Sequence, residues 1–492
     1  MSFSPEIILG PPGTGKTHYL LNEIEEALIN KTPPHKIGCL AFTKKAAQEA
    51  ASRAANRFDY SLRELPYFRT LHSLAFRLLG LNQGRVLGSK GLQEFGKIMG
   101  LAITGKSDRQ EQIGHGTTRG DRALFLSTLS RIRCVSLEEQ YADNPLDLGW
   151  FELDRVHRGL AKFKEVRGVY DFTDMLELCL HESEFPKLDL LVVDESQDLS
   201  QLQWQLVEKL SEHAKRTLVA GDDDQAIFQW AGADVDYFID LTGPTKVLDK
   251  SYRIPKEVQT KAQNVVKLIS SRRAKDWEPR EGSGAVLYHS RIDHLDFSTG
   301  SWLMLARNKF LLADVRDKCY REGFAFTENG RRSVSEASIK AIQTWEKLRK
   351  GERCEAEALK GILRYTAKQT KGFPEEGRFA LSDLTQFGVH ATGIWHEAFL
   401  YMSHVERSYL IAALRRGEIL TKDPRIILST IHGAKGGEAD NVLLVTDVSP
   451  KTFEHQVRMP DNENRVLYVG MTRAKETLHI LLPRTRYYFS AV

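Results

Sequence analysis

The sequence predicts an α/β protein: a repeated parallel-sheet core carrying two mainly helical insertions. Three observations predict it. Short apolar runs recur, and each is followed at once by a polar motif. Amphipathic helical segments alternate with these runs. Two long stretches, at about 86–170 and 336–420, break the alternation with charged, helix-like sequence. Buried parallel strands read as continuous apolar runs. In open parallel sheets, ligands collect at the carboxyl ends of the strands. Polar motifs at several strand ends therefore describe one shared site.

The elements follow in order. Ile7-Ile8-Leu9 leads into a glycine loop. Leu20, Leu21, Ile24 and Leu28 have helical spacing, and Pro33-Pro34 is expected to stop that helix. The run Ile37 to Ala41 leads into Phe42-Thr43-Lys44-Lys45, and the alanine-rich stretch Ala46 to Ala55 is strongly helical. The first insertion holds a Gly/Thr/Arg loop, Gly114 to Arg122, and a basic helix-like segment, Arg155 to Arg167. Leu188 to Val193 leads into Asp194-Glu195, and Thr217 to Ala220 leads into Gly221-Asp222-Asp223-Asp224-Gln225. The second insertion has no such pairing of strand and motif.

Composition bounds the function classes. A chain of 492 residues suggests three to four domains, or two with large insertions. Lys plus Arg is 69 against 65 for Asp plus Glu, which excludes a simple polycationic tail protein but permits a basic groove. With 41% apolar residues there is material for several cores, so general disorder is excluded. Five widely spaced cysteines form no C-x-x-C pair, so neither a disulfide scaffold nor a zinc ribbon is indicated. Reduced thiols and a cytoplasmic location are expected. No apolar run approaches the ~20 residues of a membrane span, and the first residues show no signal peptide.

Gly10-Pro11-Pro12-Gly13-Thr14-Gly15-Lys16-Thr17 fits G-x-x-x-x-G-K-[ST] in full, after a strand and at the start of a helix. Glycines let backbone N–H groups wrap phosphates, and a helix N-terminus favours their charge. Lys16 is expected at the β/γ-phosphates of ATP and Thr17 at Mg²⁺. Mg²⁺ takes few carboxylates and keeps several waters. Asp194, at a strand end, is therefore expected at the metal, with Glu195 as the general base that orients the attacking water.

Asp194-Glu195-Ser196-Gln197-Asp198 resembles motif II of the UvrD/Rep/PcrA-type superfamily 1 helicases. The resemblance continues in order along nearly the whole chain. Phe42 to Ala47 is similar to motif Ia, and Thr70-Leu71-His72-Ser73-Leu74-Ala75 to motif Ib. Asp171-Phe172-Thr173-Asp174-Met175-Leu176 is similar to the D-F-x-D-L-L segment. Gly221 to Gln225, continuing to Trp230, resembles motif III. Ser251-Tyr252-Arg253 resembles motif IV, Ile431 to Gly436 motif V, and Tyr468 to Ala474 motif VI.

The resemblance implies two RecA-like parallel-sheet cores with ATP between them and single-stranded DNA across both. Its expected layout is core 1 at 1–85 and 171–245, insertion at 86–170, core 2 at 246–335 and 421–492, and a reduced insertion at 336–420. It implies that Gln225 senses the γ-phosphate and that Arg253 and Arg473 act as arginine fingers. It places Glu438 near the ribose and triphosphate, and Tyr252 on the adenine ring. It assigns Phe42, Thr43, Lys44, His72, Trp230 and His432 to DNA. Aromatic stacking with phosphate-binding cations is the usual means of holding a single strand. On that ground Lys45, Arg155, Arg158, Lys162 and Lys164 are further groove cations to weigh against a solvated helix face.

The function implied is an ATP- and Mg²⁺-dependent 3′→5′ DNA helicase that acts on single strands and single-strand/duplex junctions, with a replication, repair or nuclease partner. A DNA-stimulated translocase or sensor ATPase without unwinding is the alternative. A small-molecule kinase has no use for Trp230 or two distant arginines, and a binding module with a dead ATP site conflicts with the complete set of hydrolytic residues. Several positions depart from the family pattern. Ala231 stands where an Arg usually follows the Trp, Gly437 stands where a Leu is common, and the second insertion is short. Only nine residues precede Gly10, leaving no place for the family's adenine-reading Gln, so loose discrimination among nucleotides is expected. Only 18 residues follow Ala474, so no nuclease domain is expected there. The compact length suggests a phage or mobile-element origin.

Overall fold

The computed structural model describes residues 3–41, 44–58, 60–61, 63–105, 116, 118–367 and 372–492, without the side chains at 44–46, 49, 57 and 58. The chain divides into two compact units. Unit 1 comprises residues 1–254, 263–281 and 459–468; unit 2 comprises 255–262, 282–458 and 469–492. Among the described residues no helix is long and apolar enough to cross a membrane.

Unit 1 is built on six strands: β1 (Glu6–Leu9), β2 (Ile37–Leu40), β3 (Phe68–Arg69), β4 (Leu188–Val193), β5 (Ala214–Gly221) and β6 (Thr245–Val247). They form one sheet in the order β3-β2-β4-β5-β1-β6, and every pairing is parallel. Side chains alternate between faces along a strand. Ile7, Leu9, Leu191, Val193 and Val219 therefore enter one core, with Met175, Trp204, Leu206 and Phe238. Ile8, Leu190, Val192, Leu218 and Ala220 enter the other. Leu20, Ile24 and Leu28 of the helix Lys16–Ile29 cover that second face, as do Ala50, Ala51 and Ala54 of the helix Lys44–Phe58. The first of these helices ends at Ile29, ahead of Pro33: the Asn30 N–H donates to Glu26 O, and Lys31 turns the chain with φ 63°.

Between β3 and β4 lies the first insertion. Its helices Ser89–Met99, Arg119–Ile132, Leu137–Asp143 and Trp150–Arg167 enclose a core of their own, including Phe95, Ala123, Leu126, Leu153 and Val156. Its two ends meet: Val86 and Tyr170 form an isolated bridge, and the Arg85 guanidinium bonds the Tyr170 hydroxyl at 3.1 Å.

A compact ion cluster fastens these helices to the helix Phe172–Glu182. Arg131 donates to Asp171 at 3.0 Å, Asp174 at 2.5 Å and Glu177 at 2.6 Å. Lys164 bonds Asp171 at 2.5 Å and Asp174 at 2.6 Å. Lys164, one of the weighed groove cations, is thus a buried structural partner. Arg158 pairs with Asp154, and Lys162 pairs with Glu165 at 2.9 Å, both on an exposed helix face.

Unit 2 carries β7 (Ala285–His289), β8 (Trp302–Ala306), β9 (Phe326–Glu328), β10 (Arg331–Arg332), β11 (Cys354–Glu355), β12 (Arg378–Phe379), β13 (Ile426–Thr430), β14 (Ala439–Val445) and β15 (Ala474–Leu481). Seven of them form a sheet in the order β10-β9-β13-β8-β14-β15-β7, parallel except for β10 against β9. The stretch 336–420 is not purely helical, since β11 and β12 pair antiparallel within it. Nor does it have a separate core. Ile339, Trp345, Leu363, Phe399 and Leu410 belong to the same buried cluster as Trp302, Met304, Phe326 and Leu443 of the sheet.

Breaking a buried ion cluster by removing one partner strands the remaining charges and costs about 3–5 kcal/mol. Arg131→Ala should therefore lower unfolding free energy by about that amount, measured by urea denaturation. A change below ~0.5 kcal/mol, the usual size for a surface substitution, would contradict the anchoring role.

Candidate nucleotide site

The glycine loop sits where β1 ends and the helix Lys16–Ile29 begins. Gly13 and Gly15 take left-handed backbone, with φ 73° and 78°. Gly13 is also closely packed: a Cβ there would stand 2.4 Å from Arg253 Cβ. Residues 251–253 brace the loop from outside. The Tyr252 N–H donates to Gly13 O at 2.8 Å, and Ser251 Oγ donates to Pro12 O at 2.8 Å. Tyr252 is 71% exposed. Its ring edge lies 3.9 Å from the position of a Gly15 Cβ, beside the loop.

Lys16 points across the sheet end to β4. Its ammonium bonds Glu195 Oε1 and lies 3.2 Å from Asp194 Oδ1. Burial alone depresses a lysine pKa; here the Asp194 and Glu195 carboxylates outweigh it and hold Lys16 above its ordinary range. Burial pushes the Asp194 carboxyl up, against the pull of Lys16. Thr17 Oγ1 is 3.4 Å from Asp194 Oδ2. This hydroxyl and carboxylate are the hard oxygen donors that Mg²⁺ accepts.

Glu195 has left-handed backbone, φ 54° and ψ 38°. For a non-glycine residue that costs on the order of 1–2 kcal/mol. It is held by a bonded chain. Gln197 Nε2 donates to Glu195 Oε2 at 2.7 Å, and Gln197 Oε1 accepts the Asp222 N–H at 2.9 Å. Asp222 Oδ2 then accepts from Gln225 Nε2 at 2.7 Å. Lys16, Thr17, Asp194, Glu195 and Gln225, which belong to three separate motifs, thus occupy one network in unit 1.

The remaining expected site residues are distributed more widely. Arg253 flanks the loop, as described, with its backbone carbonyl accepting from Arg280 Nε at 3.1 Å. In unit 2, Arg473 is buried immediately before β15 and donates to Val469 O at 2.9 Å and Thr472 Oγ1 at 3.3 Å. Glu438, immediately before β14, is its neighbour through the Ala439 N–H, which donates to Arg473 O at 3.1 Å. His432 is half-buried in the turn after β13.

Among the residues expected at DNA, Phe42 and Thr43 lie outside the described residues, and Lys44 is described only as the first residue of its helix. His72 sits edge-on to Phe172, with ring centroids 5.8 Å apart. Trp230 is half-buried and packs against the core of the first insertion.

Sequence reasoning missed Gln197 as a linker, and it missed the cations that neutralise Asp222, Asp223 and Asp224. A signal existed for the second. Three consecutive aspartates at the end of a buried strand require a buried cation, because an unpaired buried charge is prohibitively costly. Lys275 is that cation, with no exposed side-chain surface and 2.6 Å from Asp223.

A glycine loop and a strand-end Asp-Glu pair on an all-parallel sheet, in a chain with a second parallel-sheet unit, define a P-loop nucleotide-binding protein of RecA-like α/β architecture. Residues 2–246 match the UvrD/REP helicase N-terminal domain, and residues 334–485 match the UvrD-like helicase C-terminal domain. The chain belongs to the UvrD/REP helicase family. It is 24% identical to the ATP-dependent DNA helicase PcrA of Staphylococcus epidermidis over 309 residues, which is 59% of this chain and 42% of that protein. It is 25% identical to the ATP-dependent DNA helicase Rep of Buchnera aphidicola over 249 residues, 48% of this chain and 36% of that one. The matched region thus spans less than half the length of these relatives.

A Cβ at Gly13 would meet both an unfavourable backbone angle and the Arg253 side chain. Gly13→Ala should therefore destabilise the protein by at least ~1 kcal/mol and weaken nucleotide binding. Denaturant unfolding and titration with a fluorescent nucleotide measure the two. Unchanged values in both would contradict the bracing of the loop by residues 251–253.

Proposed function

We propose that this protein is an ATP- and Mg²⁺-dependent DNA helicase that moves 3′→5′ on single-stranded DNA and separates the duplex ahead of it. The observation that carries this reading is the bonded chain from Lys16 through Glu195, Gln197 and Asp222 to Gln225, in a member of the UvrD/REP helicase family. That arrangement suits phosphoryl transfer to water, where catalysis is largely positioning and charge stabilisation.

In this reading the loop Gly10 to Thr17 receives the phosphates on its free N–H groups; Pro11 and Pro12 carry none, and the Gly10 N–H is spent on Gly221 O. The phosphates compete with Asp194 and Glu195 for the Lys16 ammonium, which leaves Glu195 able to orient the attacking water and accept its proton. Thr17 and Asp194 would hold Mg²⁺, which supplies positive charge at the phosphate oxygens. Gln225 senses the γ-phosphate, Arg253 and Arg473 stabilise its developing charge, Tyr252 stacks on adenine, and Glu438 lies towards the ribose and triphosphate. Phe42, Thr43, Lys44, His72, Trp230 and His432 face DNA. The site of action is the single-strand/duplex junction, in the cytoplasm, with a replication, repair or nuclease partner.

A second reading, a DNA-stimulated translocase or sensor ATPase without unwinding, is favoured by one feature. Ala231 stands directly after Trp230, where the family commonly carries an Arg. Strand displacement separates the two readings. Unwinding should proceed from a 3′ single-stranded tail; opening from a 5′ tail alone would refute the polarity, and translocation without strand release would select the second reading.

ATP hydrolysis should be slow alone and rise steeply with single-stranded DNA, as measured by steady-state phosphate release. Lys16→Ala should abolish that hydrolysis with single-strand affinity kept within about threefold, since Lys16 is engaged only at the nucleotide site. Equal rates with and without DNA would sink the motor reading, and a parallel loss of DNA affinity would sink the division of roles.

A further inference from the structure

Lys275, a buried cation of unit 1, lies outside every motif assigned above. Lys275 stands 3.2 Å from Asp222 Oδ1, 2.6 Å from Asp223 Oδ1 and 2.9 Å from Asp224 Oδ2. Neither its side chain nor those of Asp222 and Asp223 has exposed surface. Arg272 adds a two-pronged bond to Asp224, at 2.8 and 2.7 Å. The Arg273 N–H donates to Asp223 Oδ2 at 2.9 Å. Asp461 accepts from the Ser270 and Ser271 N–H groups at 3.0 and 3.1 Å, and Arg465 joins Asp223 O at 2.9 Å to Ser271 O at 2.5 Å. The segment 270–275 is thus fastened onto the turn Asp222–Gln225 by many directed bonds.

Much of this clamp is needed simply to bury three carboxylates. Asp222 is different, because it also works in the other direction. Its Oδ2 accepts from Gln225, and its N–H donates to Gln197, which in turn holds Glu195. An ionised carboxylate is acceptor-only and strongly orients an amide N–H; a protonated one competes as a donor. Even beside Lys275, burial and the Asp224 and Asp223 charges push the Asp222 carboxyl up to about 6. Among the described residues, removing the ammonium would leave no cation in ion-pair contact with Asp222.

We propose that Lys275 is a positioning residue for the nucleotide site: by neutralising Asp222 it keeps that carboxylate a fixed acceptor for Gln225. The inference rests on the proposed reading of Gln225 as the group that meets the γ-phosphate. Lys275 itself touches no nucleotide. The segment that bears it is flanked in the chain by 255–262 and by 282 onward, both in unit 2. The turn that orients Gln225 is therefore bonded to a segment whose two chain ends both run into the other unit.

The test is a double-mutant cycle of Lys275→Met with Gln225→Ala, read in single-strand-stimulated ATP hydrolysis. Lys275→Met is expected to lower kcat at least tenfold and to leave KM for ATP and fluorescent-nucleotide affinity within about threefold, since the P-loop keeps its own contacts. The double variant should fall little further than Gln225→Ala alone, because residues acting as one unit are non-additive. A Lys275→Met enzyme with unchanged kcat, or losses that multiply in the double variant, would overturn the proposal. Parallel loss of nucleotide affinity and kcat would also overturn it, by showing a merely structural residue. If Lys275→Met does not fold, Asp222→Asn enters the same cycle, since it keeps the side-chain shape and removes the charge; the same outcomes decide. Absence of hydrolysis in the unmodified protein would instead overturn the functional reading itself.

Discussion

A strand covered on both faces can carry its functional carboxylates only beyond its carboxyl end, and most of the site in unit 1 follows from that constraint. The sheet is covered on both faces: Leu190 and Val192 pack on one side and Leu191 and Val193 on the other. A charged side chain has no place in the doubly covered middle of such a strand, so Asp189 and Lys215 stand near the strand starts and Asp194 and Asp222 where the strands stop. There they are still buried, and a buried carboxylate demands a cation with good geometry. Lys16 answers for Asp194 and Glu195, and Lys275 with Arg272 answers for the aspartate run. Each of these cations comes from a distant part of the chain, so satisfying the charge also fixes the register of loops that would otherwise be independent.

The two cations differ in what competes for them. Lys16 lies beside the glycine loop, and in the proposed reading the phosphates displace its carboxylates. Lys275 is sealed in, with no exposed side-chain surface, on Asp222, Asp223 and Asp224. In the proposed reading, one ammonium is available for exchange during a reaction cycle while the other holds the frame on which the exchange occurs.

Much of this was legible from the residues. The runs at Ile7, Ile37, Leu188 and Thr217 are strands in the structure, each ending at its motif, because a doubly buried parallel strand writes itself as uninterrupted apolar sequence. The helix Lys16–Ile29 showed its buried stripe, although it ends before Pro33 because Asn30 and Lys31 already turn the chain. Other features leave no periodic trace. Lys164 looks like one more charge on a basic helix, and only the folded chain brings Asp171 and Asp174 to it. Lys275 lies 52 residues from Asp223, within a run that reads as solvated charge. The core that 336–420 shares with the second sheet was hidden for a related reason: helical spacing marks a buried face but not the surface that covers it.

That difference between the insertions bears on how such a chain changes over evolutionary time. The two ends of the first insertion meet at Val86 and Tyr170, and its apolar side chains pack mostly among its own helices, with Trp230 against them. Sequence between those points is free to lengthen, shrink or be exchanged for a different module, provided the ends still meet, the Arg131 anchor has a successor and Trp230 keeps its cover. The second stretch has no such freedom. Trp345, Leu363 and Phe399 complete the core beneath Trp302 and Phe326, so trimming it would expose the sheet itself. Diversification of the one insertion can proceed by wholesale replacement, whereas the other must be remodelled one compensated substitution at a time.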